Sequence, residues 1–163
     1  MIEILKIKQE GREKVDAFIK HHWFSMQMVV HGESIDLGIA DGWYAFDYKN
    51  IVGLITYRVI DHEMEILSLN TLHENQGIGT TLLNQAIAKA RESGCSRVCL
   101  ITTNDNLTAL RFYQKHGFDI VKIHRNAVDM ARKLKPSIPQ YGIDGIPIKH
   151  EIELEMLLIK KCT

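Results

Sequence analysis

The chain has 163 residues, 45% hydrophobic and 25% charged, and is read as one globular domain over 1–163 with a sizeable core. Twenty basic and twenty acidic residues cancel, which removes the electrostatic case for nucleic acid or an anionic membrane. No apolar run approaches the roughly 20 residues of a membrane span, and three cysteines without a secretion signal point to reduced thiols in a cytoplasmic protein.

Ile2 to Lys8 alternates and is partly apolar on both faces, as in the first strand of a covered sheet. From Gly11 a helix is expected, with Val15, Phe18, Ile19 and Trp23 along one side. The cluster His21-His22-Trp23-Phe24 invites a metal or stacking reading, but a helix end packing on a sheet accounts for it. Met26 to Ile35, with Met28, Val29, Val30 and a breaking Gly32, is expected as a second helix or a mobile loop. Trp43 to Asp47 and Ile51 to Ile60 read as strands joined at Tyr48-Lys49-Asn50, the second central because it is almost continuously apolar. Asp61-His62-Glu63 is the next turn and Met64 to Leu69 the next strand. Within it Glu65 is either solvated on an outward face or, if buried, in need of a partner.

That strand breaks into polar residues, closes on Gly77-Ile78-Gly79 and opens at once into a helix carrying Ile78, Leu82, Leu83, Ala86, Ile87 and Ala90 on one face. Glycines there let backbone N–H groups approach a ligand, and the helix start suits a phosphate or pyrophosphate. A tight turn needing Gly for conformation alone is the plainer alternative. Two nucleotide motifs are excluded. A phosphate-binding Walker loop needs G-K-[ST], yet Thr80-Thr81 follow Gly79; a dinucleotide fingerprint needs a third glycine where Leu82 stands. The helix ends at Arg91-Glu92-Ser93-Gly94, and Arg97 to Thr102 is the following strand. Cys95 and Cys99 lie four apart but no His cluster accompanies them, so no metal site is expected.

Asn106 to Phe118 reads NLTALRFYQKHGF: Asn106 as N-cap, then Ala109, Phe112 and Tyr113 on one face, and Gly117 at the C-terminal end. Together, G-I-G-x-x-L-L and N-x-x-A-x-x-F-Y-x-x-x-G-F resemble the GNAT superfamily of acyl-CoA-dependent N-acetyltransferases, chiefly over residues 50 to 124. The resemblance implies an α/β fold: a single-domain, mixed, mostly antiparallel sheet of about seven strands, helices on both faces, and a splay between the fourth and fifth strands. It implies acetyl-CoA as co-substrate and an amine acceptor. The cofactor would lie along Leu67, Ser68 and Leu69, with its pyrophosphate in the loop Glu74, Asn75, Gln76, Gly77, Ile78, Gly79 and Thr80. Asn106, Ala109, Phe112 and Tyr113 would complete its site, Tyr113 being the general acid. One departure stands out: the family motif usually has Arg or Gln three residues before the first Gly, and this chain has Glu74. An acid facing a pyrophosphate is unfavourable, so Glu74 is expected to point away and contribute backbone only.

Phe118 to Ile123 reads as a strand and Asn126 to Leu134 as a helix. Lys135 to Lys149 holds all three prolines (Pro136, Pro139, Pro147) with Gly142 and Gly145, an ordered loop whose Ile138, Tyr141, Ile143 and Ile146 should not be left in water. It is assigned to the acceptor side of the site, although a homodimer contact would use its apolar residues equally well. Asp144 is a solvated turn residue or a contact for a cationic amine. Glu151 to Ile159 alternates as the last strand, its Glu151, Glu153 and Glu155 set against Ile152, Leu154 and Met156.

The chemistry needs a held thioester, a polarised carbonyl, a deprotonated amine and a protonated leaving thiolate. A backbone N–H near Leu69 could polarise the carbonyl. A phenol of reference pKa about 10 can donate to a thiolate of about 8.5. Glu63 and Glu65 are the candidate bases, acting through water, with bulk water as the alternative acceptor. A different class of function, a non-catalytic acyl-CoA-binding or regulatory module, would have no use for the Tyr113 phenol.

Overall fold

The computed structural model of the chain describes residues 1–23 and 25–158. Its elements in chain order are β1 (Glu3–Lys6), α1 (Arg12–Trp23), β2 (Gln27–Val30), β3 (Glu33–Asp36), β4 (Asp41–Phe46), β5 (Ile51–Ile60), β6 (Glu63–Thr71) and α2 (Ile78–Glu92). There follow β7 (Arg97–Thr103), α3 (Leu107–Lys115), β8 (Asp119–His124), α4 (Ala127–Leu134) and β9 (Glu151–Leu157). Seven strands form one mostly antiparallel sheet in the order β1-β4-β5-β6-β7-β9-β8, while β2 and β3 pair with each other. The backbone gathers into two compact units, one of Met1–Gln27 and Asp36–Val98 with Leu158, the other of Met28–Ile35 and Cys99–Leu157.

In the first unit β5 is the core strand. Ile51 to Tyr57 are all buried, which is why IVGLITY shows no alternation. α1 buries Val15, Phe18 and Ile19; α2 buries Ile78, Leu82, Leu83, Ala86 and Ala90 against β4, β5 and β6. Each large side chain so buried contributes about 1.5–3 kcal/mol. A methyl group at Gly53 of β5 would come within 2.8 Å of the Ile78 side chain, so the start of α2 seats closely on the sheet. The end of α1 packs as expected. Trp23 Nε1 donates to Asn70 Oδ1 on β6 at 3.0 Å, and His22 lies against Phe18, its pKa lowered by burial and by His21. Phe24 lies outside the described residues. The β4–β5 turn is held by Asp47, which accepts from the Lys49 and Asn50 amides.

The segment expected as a helix or loop, Met26 to Ile35, is largely the β2–β3 hairpin, whose residues Met28–Ile35 belong to the second unit; a 3-10 turn at Leu37–Ile39 follows in the first. The physical signal is a pair of β-branched residues before a two-residue turn. His31 and Gly32 both have positive φ (54° and 69°), the type I′ pattern whose twist matches that of paired strands. β8 and β9 pair antiparallel, with Ile123 opposite Ile152 and His124 opposite Glu151. β8 is an edge strand, which leaves Ile120, Val121 and Ile123 exposed. β9 departs from simple alternation: Leu154 is fully buried, but Glu151 is buried as well, at 5% exposure. Ile159, the expected end of that strand, lies outside the described residues.

The loop from Lys135 to Lys149 is ordered by its backbone. Gly142 N donates to Ile146 O, Ile148 N donates to Gln140 O, and Tyr141 bridges Pro147. Arg132 of α4 donates to the carbonyls of Ile138, Pro139 and Ile148. One expectation is corrected here. Tyr141 is 66% and Ile143 47% exposed, because these backbone bonds hold the loop without needing its apolar side chains as a core.

Candidate active site

β6 carries an irregularity in the stretch that the sequence resemblance assigns to a cofactor. Thr56 stands opposite Ser68 and Tyr57 opposite Ile66, so Leu67 is an extra residue, a bulge. A bulge leaves backbone groups out of the ladder and re-aims the residues around it. The Thr56 and Ser68 hydroxyls bond to each other beneath it, both buried. Leu67 is buried and Leu69 half-buried. Beyond Thr71 the chain becomes an exposed loop, with Glu74, Asn75 and Gln76 all at the surface and Asn75 at φ 61°.

The loop closes at Gly77, the N-cap of α2, with φ 75° and ψ 5°. Nothing lies within 4 Å of where its Cβ would be, so conformation alone demands glycine there. The first helical bond runs from Thr81 N to Gly77 O at 3.0 Å, and helix geometry leaves the amides before it without an intrahelical acceptor. Thr81 Oγ1 donates to the same carbonyl at 2.9 Å. Gly79 differs from Gly77: it lies within α2 at negative φ, where glycine costs up to about 1 kcal/mol relative to alanine. Backbone shape therefore does not explain it.

In the second unit Asn106 caps α3, its side chain accepting from Ala109 N at 3.1 Å. Tyr113 is the buried residue of that helix, at 6% exposure. Its ring meets Phe112 and Phe118 edge-on, with centroids 5.2 and 5.4 Å away. Burial pushes its phenol well above the ordinary value, so the group stays protonated. Among the described residues nothing hydrogen-bonds that hydroxyl.

The candidate bases are both engaged. Glu65 receives Arg58 Nε at 2.9 Å across the β5–β6 ladder, and Glu63 receives Arg97 at 3.0 Å. The alternative that Glu65 is simply solvated therefore fails, since its side chain is 12% exposed and paired.

Sequence reasoning missed a second set of residues, those that fix the loop beside α3. Asn104 Nδ2 donates to Pro147 O, and Asn104 Oδ1 accepts from the Lys149 and His150 amides. Asp105, buried at 6% exposure, takes a hydrogen bond from Thr103 and another from Ile143 N. A methyl group on Gly142 would overlap the Asp105 carboxylate. Asn104-Asp105-Asn106 reads as turn and cap material, and only Asn106 serves as a helix cap.

The acetyltransferase (GNAT) family model matches residues 10–118, more than half of the chain. The chain belongs to the GNAT family. Among curated relatives, the Bacillus subtilis protein YxbD is 42% identical over 161 residues, spanning 98% of this chain and 99% of its own. The GNAT fold recurs in the IAA acetyltransferase of Bacillus cereus, at TM-score 0.72 and 21% identity over 97% of this chain and 100% of that one. It recurs too in a GNAT acetyltransferase of Elizabethkingia anophelis with acetyl-CoA bound, at TM-score 0.67 and 23% identity over 96% and 98% of the two chains.

Proposed function

We propose that this GNAT protein, acting as one domain over residues 1–163, transfers an acetyl group from acetyl-CoA to a primary amine. The acceptor is a small molecule or a protein amino group, attacked directly in a ternary complex. The turn from Glu74 to Thr80 holds the pyrophosphate through backbone amides, with the positive end of α2 behind it. Glu74, exposed in the loop, contributes backbone only. Pantetheine runs along Leu67 to Leu69, where the bulge offers backbone groups to it, and a backbone N–H near Leu69 polarises the thioester carbonyl. Asn106, Ala109 and Phe112 bound the cofactor from α3.

The observation that carries the reading is Tyr113, a buried phenol whose hydroxyl has no hydrogen-bond partner among the described residues. Such a group can give its proton to the departing thiolate. Glu63 and Glu65 are tied to arginines, so in this reading water takes the ammonium proton. The Lys135–Lys149 loop forms the acceptor side, with Tyr141 exposed on it. Buried thiols at Cys95 and Cys99 suit a reducing compartment, and the cytoplasm is the site proposed. No helix among the described residues is long and apolar enough to cross a membrane.

The test is thiol release from acetyl-CoA with a panel of primary amines, set against alcohols and no acceptor. Amine-dependent release is expected. Tight acetyl-CoA binding with no release for any amine would instead make the chain a binding module.

A further inference from the structure

The second unit brings together three side chains that acetyl transfer does not use. His31 is at the tip of the β2–β3 hairpin, His124 ends β8, and Glu153 lies in β9. Their donor atoms all lie within 4.8 Å of one another. His124 Nε2 is already 3.2 Å from Glu153 Oε1, and the two histidine rings meet edge-on with centroids 5.8 Å apart. We propose that these three residues bind a divalent first-row transition ion such as Zn2+, which ties the hairpin to the β8–β9 pair.

The donor set selects the class of ion. Two imidazoles and one carboxylate suit Zn2+ and its neighbours, whereas Mg2+ and Ca2+ require oxygen ligands. With metal–ligand bonds of about 2.0–2.2 Å, donors around a tetrahedral ion stand about 3.3–3.6 Å apart. The His124–Glu153 pair has that spacing, because Glu153 is the diagonal neighbour of His124 on the same face of the β8–β9 ladder. Closure therefore falls mainly to His31, which is exposed on a two-residue turn. The residue choice at that turn points the same way. Type I′ turns favour Asn, Asp or Gly at their first position, and a histidine there at φ 54° faces His124. Three protein ligands leave a fourth position for water.

A metal-free account also exists: His124 and Glu153 as an ion pair, with Lys122 opposite Glu153 in the register as a second cation for the carboxylate. The experiment separates the two. Tag-free full-length protein, stripped with chelator, is titrated with Zn2+ by calorimetry and melted with and without it. One ion per chain and a higher melting temperature are expected. His31→Asn keeps a turn-compatible residue, so its metal-free melting should match wild type. Its Zn2+ affinity should fall by at least the roughly 10–100-fold that loss of an outer-shell partner alone costs. His124→Ala and Glu153→Gln should do likewise, and His21→Ala/His22→Ala should bind normally. No stoichiometric binding, binding unaltered in His31→Asn and His124→Ala, or binding lost with His21 and His22 would each overturn the proposal.

Discussion

The Tyr113 ring packs edge-on against Phe112 and Phe118, and removing its one hydroxyl oxygen separates packing from chemistry. Tyr113→Phe should fold and bind acetyl-CoA normally while turnover falls by about 10²-fold or more, read by thiol release under chemistry-limited conditions. Unchanged turnover would reduce Tyr113 to a packing residue. The same substitution has a signature in stability. Burial raises the folded pKa above the unfolded reference of about 10. The stability this contributes is therefore complete below about pH 10 and is lost as pH rises through the folded value. Urea melts at pH 8 and near pH 11 should show wild type losing up to about 1.4 kcal/mol per pH unit relative to the variant in the alkaline range. Gly77 and Asn106 were legible because turn conformation and helix capping write themselves into residue type. The pairing of Glu63 with Arg97 and Glu65 with Arg58 was not, since cross-strand partners depend on register.

At the scale of elements, the long helices and the β4–β5–β6 meander follow from periodicity, and their expected and observed spans differ mainly at the ends. Two features escaped. The β2–β3 hairpin is short, and four-residue strands show too little alternation to tell a strand from a loop. The clustering of His31, His124 and Glu153 depends on tertiary placement and leaves no spacing to read. The contact between Asp105 and the Lys135–Lys149 loop can be tested as a pair. Gly142→Ala should cost about 1–3 kcal/mol in urea unfolding, because the added methyl group meets the carboxylate. In an Asp105→Ala background the same change should cost clearly less, a coupling that a double-mutant cycle measures. Equal costs in the two backgrounds would mean that the carboxylate does not set the loop's path.

For the whole molecule, a ligand that binds only the folded chain stabilises it by mass action. Acetyl-CoA at 100 times its dissociation constant contributes about 2.7 kcal/mol. For a chain of this size that is a rise in melting temperature of roughly 5–10 °C. Gly79→Val should melt near wild type without cofactor and show little of that rise; a full rise in the variant would remove Gly79 from the cofactor site. The Lys135–Lys149 loop sets a different kind of boundary. The bonds from Arg132, Asn104 and Asp105 reach only its main chain, at Ile138, Pro139, Ile143, Pro147, Ile148 and Lys149. Its outward side chains can therefore diverge without changing the path of the chain that displays them. A library randomised at Tyr141 and Ile143 should keep its melting temperature, and if the loop forms the proposed acceptor side its members should sort into different amine preferences, so that new acceptors could be gained by drift or by design at little cost in stability.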